Sequence, residues 1–235
     1  MSLDLALACT HSVTRITRVH PPPPAHVTPR TVGGVPAHDS ARAREVIGEL
    51  STVSAVLEEL PQVARGDLGS PSEPGDLDCV AVGCWGGVVQ IHDPAFGEDG
   101  TASFNLDPVF DAQVKAHPEA RITAACEMDF SLTYAKYLAH VPGAPPVSVE
   151  GWDEMTVAGD PAEALRACGD DPARPRVDFD FDFADPDRLD WSAYLDLIAC
   201  GLHLPLADEP LEVSVFRVSR PEDIRENLEE VWLPE

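Results

Sequence analysis

The sequence is poor in cations. Lysine and arginine together number 16 against 41 aspartates and glutamates, a formal charge of -25, and lysine occurs only at Lys115 and Lys136. Such a chain repels phosphate backbones and anionic lipid headgroups. Direct binding to nucleic acid or to an anionic membrane is therefore disfavoured, and a basic protein is the expected partner. No apolar run approaches the length of a membrane span, and Met1–Cys9 carries Asp4 and lacks the basic start of a signal peptide. Cys-x-x-Cys pairs are also missing. Cys9, Cys79, Cys84, Cys126, Cys168 and Cys200 are scattered, most of them among apolar residues, which fits small core residues in a reducing cytoplasm better than a zinc site or a disulfide framework. There is no Gly-x-Ser-x-Gly elbow, no glycine-rich phosphate loop before a helix and no EF-hand spacing. No cofactor, no metal and no catalytic residue is expected from motifs.

Against these absences stands one conspicuous pattern, Val177–Phe183, in which aspartate and phenylalanine alternate. A strand sends successive side chains to opposite faces, so Phe179, Phe181 and Phe183 would share one face and Asp178, Asp180 and Asp182 the other. Burying the rings contributes about 1.5–3 kcal/mol each. Carboxylates about 7 Å apart in water repel by only roughly 0.6 kcal/mol per pair. The expectation is a half-buried strand with a wet acidic row, continued by Asp185 and Asp187.

The chain divides into residues 1–38, with strand character in Leu3–Val19 of an edge type followed by a proline-rich extended arm, and an acidic domain over residues 39–235. The arm segment is not acidic: Arg15, Arg18, Arg30, Arg42 and Arg44 outnumber Asp4 and Asp39 in residues 1–44. Asp39 or Ser40 can cap a helix over residues 41–60, where apolar residues recur at three- and four-residue intervals up to Pro61. Leu77–Cys84 and Val88–His92 read as a hairpin around Trp85-Gly86-Gly87. Asp107-Pro108, Asp160-Pro161, Asp185-Pro186 and Arg220-Pro221, the last with Ser219 and Glu222 at capping-box spacing, read as helix starts. These organise the remainder as strands (101–106, 121–128, 147–157, 176–183, 211–218) alternating with helices (108–116, 130–139, 161–167, 186–200, 221–233). The predicted fold is α+β: a single mixed or mainly antiparallel sheet with helices mostly on one face. The alternative is an α/β fold with a parallel sheet.

Candidate chemistry is sparse. The aspartates from Asp178 to Asp190 offer oxygen ligands, but alternate positions on a strand point in parallel and do not converge on a cation. His38-Asp39 and His92-Asp93 resemble metal-ligand pairs, yet a strand-ending histidine with a capping aspartate accounts for each. Gly169-Asp170-Asp171 is explained as the loop after a helix end. Cys84 or Cys126 beside His92 or His140 would make a nucleophile pair, but a core cysteine is the simpler reading. Trp85, Trp152, Trp191 and Trp232 are too dispersed for a base-stacking platform. The sequence therefore points to an acidic protein-binding module that engages a basic partner through Asp178, Asp180, Asp182, Asp185 and Asp187, in the manner of an immunity or inhibitor protein or a nucleic-acid mimic. Two alternatives are an assembly component of a virion or secretion machine that uses the N-terminal arm, and a small hydrolase with a Cys/His or carboxylate-metal site.

Overall fold

The computed structural model describes residues 12–19, 36–100, 105–129, 132–172, 183–199 and 211–232. Among these residues nine strands form one sheet: β1 (Ser12–Val19), β2 (Ala55–Ala64), β3 (Cys79–Trp85), β4 (Val88–His92), β5 (Arg121–Asp129), β6 (Thr133–His140), β7 (Val147–Gly151), β8 (Met155–Ala158) and β9 (Glu212–Ser219). Their order is β2-β9-β3-β4-β1-β5-β6-β7-β8, and every neighbouring pair is antiparallel. Five helices accompany them: α1 (Ser40–Gly48), α2 (Leu106–Ala116), α3 (Pro161–Ala167), α4 (Trp191–Ile198) and α5 (Glu222–Trp232). The fold is α+β, as the sequence predicts, and not the parallel alternative.

The alternation of each strand sorts its residues between two covered faces. On one, Ile16, Val82, Val89, Ile91, Ile122, Met128 and Phe216 pack under α1, α2 and α5. On the other, Ala125, Tyr137 and Val149 pack under α3 and α4, so three of the five described helices share a face. Phe183, the one ring of the Asp/Phe run among the described residues, packs against this second core and meets the Tyr194 ring edge-on at 6.2 Å.

The hairpin at Trp85–Val88 forms as predicted, with register Trp85↔Val88 and Gly86 at φ 58°. Gly83 is required by its neighbour, since a Cβ there would lie 2.0 Å from the Trp85 ring. Asp39 caps α1 by accepting from the Arg42 amide at 3.0 Å, and Asp160 caps α3 by accepting from Glu163 at 2.9 Å.

Several elements differ from the expectation. The strand in the first nineteen residues is central, not an edge: β1 pairs with β4 on one side and β5 on the other. The predicted long helix over 41–60 divides into α1 and β2. Its second half lies at the sheet edge, where Pro61 removes no ladder hydrogen bond and two register shifts absorb the irregularity. The predicted helix 130–139 is strand β6, because Tyr134-Ala-Lys-Tyr-Leu-Ala139 is buried on both faces and lacks a helical stripe. The predicted strand 147–157 folds back as the β7–β8 hairpin. α2 begins at Leu106, before Asp107-Pro108, and Asp190, not Asp185, caps α4. Most of the strand predicted at 101–106, the acidic strand up to Asp182, and the proline-rich run at residues 20–35 lie outside the described residues.

One buried network fixes the loop that leads to the site. Asp93 and Arg220, both essentially without solvent exposure, meet through Nη2–Oδ1 at 2.9 Å and Nη1–Oδ2 at 3.0 Å. Thr52 Oγ1 donates to Asp93 at 2.6 Å, and Arg220 also donates to the carbonyls of Thr52 and Leu77. Asp93 further accepts from the Ala95 amide at 2.9 Å, holding the 3-10 turn Pro94–Phe96, whose Pro94 carbonyl accepts from the Trp232 indole at 3.1 Å.

Candidate functional site

β6 places Tyr134, Lys136 and Leu138 on the same face by simple alternation. Leu138 joins the core, whereas Lys136 lies opposite Glu150 of β7, on the face away from α3 and α4. Its stem is buried, with 8% of the side chain exposed, and its ammonium meets three carboxylates. Glu98 arrives from the loop after the clamped 3-10 turn, with Oε2 at 3.0 Å. Asp107, in the first turn of α2, contacts the same nitrogen through Oδ2. Glu150, directly across the ladder on β7, reaches it at 3.5 Å.

These groups line an open cavity of about 600 Å³ together with Gly100, Tyr134, Ser148, Gly151, Trp152 and Thr156. Trp152, at the tip of the β7–β8 hairpin, is 40% exposed and its ring lies 5.4 Å from that of Tyr134. Gly100, at φ 75°, completes the wall: a Cβ there would come within 2.7 Å of Tyr134 and 3.1 Å of the Trp152 indole nitrogen.

The electrostatics are unbalanced, since one ammonium is shared among three carboxylates. Burial alone would lower the Lys136 pKa, but its hydrogen bond to Asp107 and the charge of Glu98 outweigh that and raise it, so the amine stays protonated and is no nucleophile. Glu98 is only 1% exposed. Burial pushes its carboxyl up more than Lys136 draws it down. Both partners of one ion pair thus shift upward, which is consistent because the lysine has several anions and Glu98 only a share of one cation. Glu98 Oε1 is buried and has no hydrogen-bond partner among the described residues, a costly state unless something donates to it.

The chain belongs to the family DUF6333. The match covers residues 6–235 and the family is one of unknown function. No curated protein and no solved structure matches the chain.

Of the residues singled out from the sequence, Asp185 and Asp187 are among those described. Asp178, Asp180 and Asp182 lie outside the described residues. Asp185 precedes the 3-10 turn Pro186–Arg188 and its side chain makes no capping bond. Asp187 is exposed and accepts from the Met155 amide at 2.6 Å, tying that turn to the β8 edge.

Among the described residues, the histidines and cysteines weighed as candidates are engaged in the fold. Nδ1 of His38 accepts from the Cys84 amide at 3.2 Å, so the proton of the neutral ring sits on Nε2, 2.9 Å from Ser214 Oγ. Burial holds His38 below the ordinary histidine range. His92, 3.1 Å from Gln90, is pushed down to about 3 by burial and by Arg15 and Arg65. Burial pushes the Cys84 thiol up to about 11 and Cys126 higher still, and His140 is engaged with the Pro118 carbonyl. Among the described residues no three His, Cys, Asp or Glu side chains converge as a metal site, and no helix is long and apolar enough to cross a membrane.

Glu98, Asp107, Lys136 and Glu150 were missed because they come from four separate elements. The sequence carried one signal, a lone lysine amid the apolar alternation of 134–139 in a chain with only two.

Proposed function

We propose that this protein is an acidic binding module whose cavity around Lys136 receives a cationic group from a basic partner protein, as an immunity or inhibitor protein or a nucleic-acid mimic would. The observation that carries the reading is the imbalance in the cavity: Glu98, Asp107 and Glu150 around a single ammonium, with an aromatic wall beside them. An excess of carboxylate in a concave, partly desolvated site attracts a cation more strongly than the same charges spread over an open surface. The formal charge of -25 adds long-range steering of a basic partner. Asp178, Asp180 and Asp182 enter the reading as additional steering charge on the strength of the sequence alone; changing all three to asparagine should slow association, most visibly at low salt.

The test is binding of a synthetic peptide of mixed lysine and arginine to the immobilised protein over a range of ionic strength. Asp107→Asn/Glu150→Gln is compared with a control that removes the same charge from the exposed face of α5, Glu226→Gln/Glu230→Gln. Pocket binding requires the first variant to weaken the complex at least about tenfold more than the second, the scale of one charge-assisted hydrogen bond. Equal losses in both would show that bulk charge, not this site, holds the peptide, and would overturn the proposal.

A further inference from the structure

We propose that the cation taken by this cavity is the guanidinium of an arginine side chain. This rests on the basic-partner reading and specifies its chemistry. Three features of the site select among cations. The first is Glu98, a residue of the cavity lining whose buried Oε1 has no donor among the described residues, while its partner Oε2 is held by Lys136. A cation that satisfies it must bring an N–H, which a quaternary ammonium lacks.

The second is the wall. The indole of Trp152 is 40% exposed and tilted 57° against Tyr134. A planar, weakly hydrated guanidinium stacks on such a ring, whereas a compact ammonium keeps its water more tenaciously. The third is the number and placement of acceptors. Glu98 and Asp107 come from opposite ends of the segment 98–107, Glu150 from β7, and Ser148 and Thr156 add hydroxyls on the strands behind them. The five donors of a guanidinium fork address several separated acceptors at once; a single ammonium occupies one focus, and Lys136 already supplies that.

The test uses the intact protein with three small probes, N-acetyl-arginine methylamide, N-acetyl-lysine methylamide and tetramethylammonium, followed through the Trp152 indole N–H in a two-dimensional NMR titration assigned with Trp152→Phe. The arginine compound should shift that resonance and bind about tenfold more tightly than the lysine compound, with tetramethylammonium weaker still. Glu98→Gln, which presents an amide where the acceptor pair stood, should reduce the preference for arginine to about threefold or less. Should that variant not fold, Trp152→Ala, at an exposed position, must show the same loss. Equal or better binding of the lysine compound, or shifts confined to resonances away from the cavity, would overturn the assignment.

The two proposals fail separately. If the arginine compound does not bind but the mixed peptide still depends on Asp107 and Glu150, the guanidinium assignment falls and the basic-partner reading stands. If the arginine compound binds in the cavity but the peptide ignores those residues, the assignment stands and the protein-partner reading falls.

Discussion

Replacing Lys136 with methionine keeps the buried stem and removes the one charge that holds the cavity together, so its cost can be worked from the neighbours. Glu150 is 50% exposed and can turn to solvent, so it contributes little to that cost. Glu98 cannot turn away, being 1% exposed. Left without its cation it will take up a proton more readily, because the burial that already pushes its carboxyl up is then unopposed by Lys136. In the unfolded chain the same group has a pKa of about 4.3, so holding it protonated costs more the further the pH lies above that value, by up to about 1.4 kcal/mol per pH unit. The sign follows directly. The folded variant binds a proton that the unfolded chain has released, so its stability falls as pH rises above about 4.3. Urea unfolding of wild type and K136M at pH 7.5 and at pH 5.5, read as the difference between them so that the histidines cancel, should show a deficit that shrinks on acidification, by at most about 1.4 kcal/mol per pH unit. Adding Glu98→Gln should recover most of the loss at pH 7.5 and abolish its pH dependence. A deficit below about 1 kcal/mol, one that is flat with pH, or a double variant no better than the single would refute the reasoning, since each would mean that Glu98 does not depend on Lys136.

The remaining predictions follow from groups that support the site. Asp93→Asn leaves the Arg220 charge buried without its bidentate partner and should cost about 3–5 kcal/mol in chemical denaturation, with loss of the clamped turn before Glu98; a cost under about 1 kcal/mol would show that the pair is not structural. Acid should destabilise the wild type through its depressed histidines. His92, depressed to about 3, and His38, also depressed, contribute stability that is fully present above the ordinary histidine pKa of about 6.5. That stability is lost as pH falls below it, by up to about 1.4 kcal/mol per pH unit for His92, and His92→Gln should flatten the profile. Gly83→Ala drives a methyl into the Trp85 ring and should cost about 1–3 kcal/mol, read as a lowered Tm.

What could be read from the sequence was what a single segment decides for itself. The hairpin at Trp85–Val88 carries its own turn residues, and Asp39 and Asp160 carry their own capping geometry, so these appear where the spacing puts them. Failures came where partners decide. Residues 41–60 satisfy a helical period, yet the second half pairs with β9, whose Ser219 carbonyl accepts from Ser54 at 2.8 Å. Tertiary pairing overrode local pattern there. Asp107-Pro108 looked like a helix cap. The helix instead begins at Leu106, and the carboxylate of Asp107 is drawn to Lys136, twenty-nine residues further on.

The same logic explains why composition gives a sign of charge but not a place. A formal charge of -25 fixes the sign of the field outside the molecule, and any row of aspartates would serve it equally well. A cavity differs because its charges cannot escape one another. Glu98 is positioned by backbone it does not control: the Asp93–Arg220 pair clamps the turn preceding it, and the Trp232 indole holds that turn to the end of α5. Lys136 is fixed from the other side by the β5–β6–β7 ladder. With both ends held, the carboxylate can neither rotate into water nor complete its hydrogen bonding within the described residues, and a buried acceptor in that state favours whatever donor can enter. Rigidity of the frame therefore converts an ordinary acidic surface into selectivity. The corresponding expectation is that loosening the frame, by Trp232→Phe, weakens cation binding in the cavity without touching any of its lining charges; an unchanged affinity in a variant of unchanged fold would show that Glu98 is held by other means.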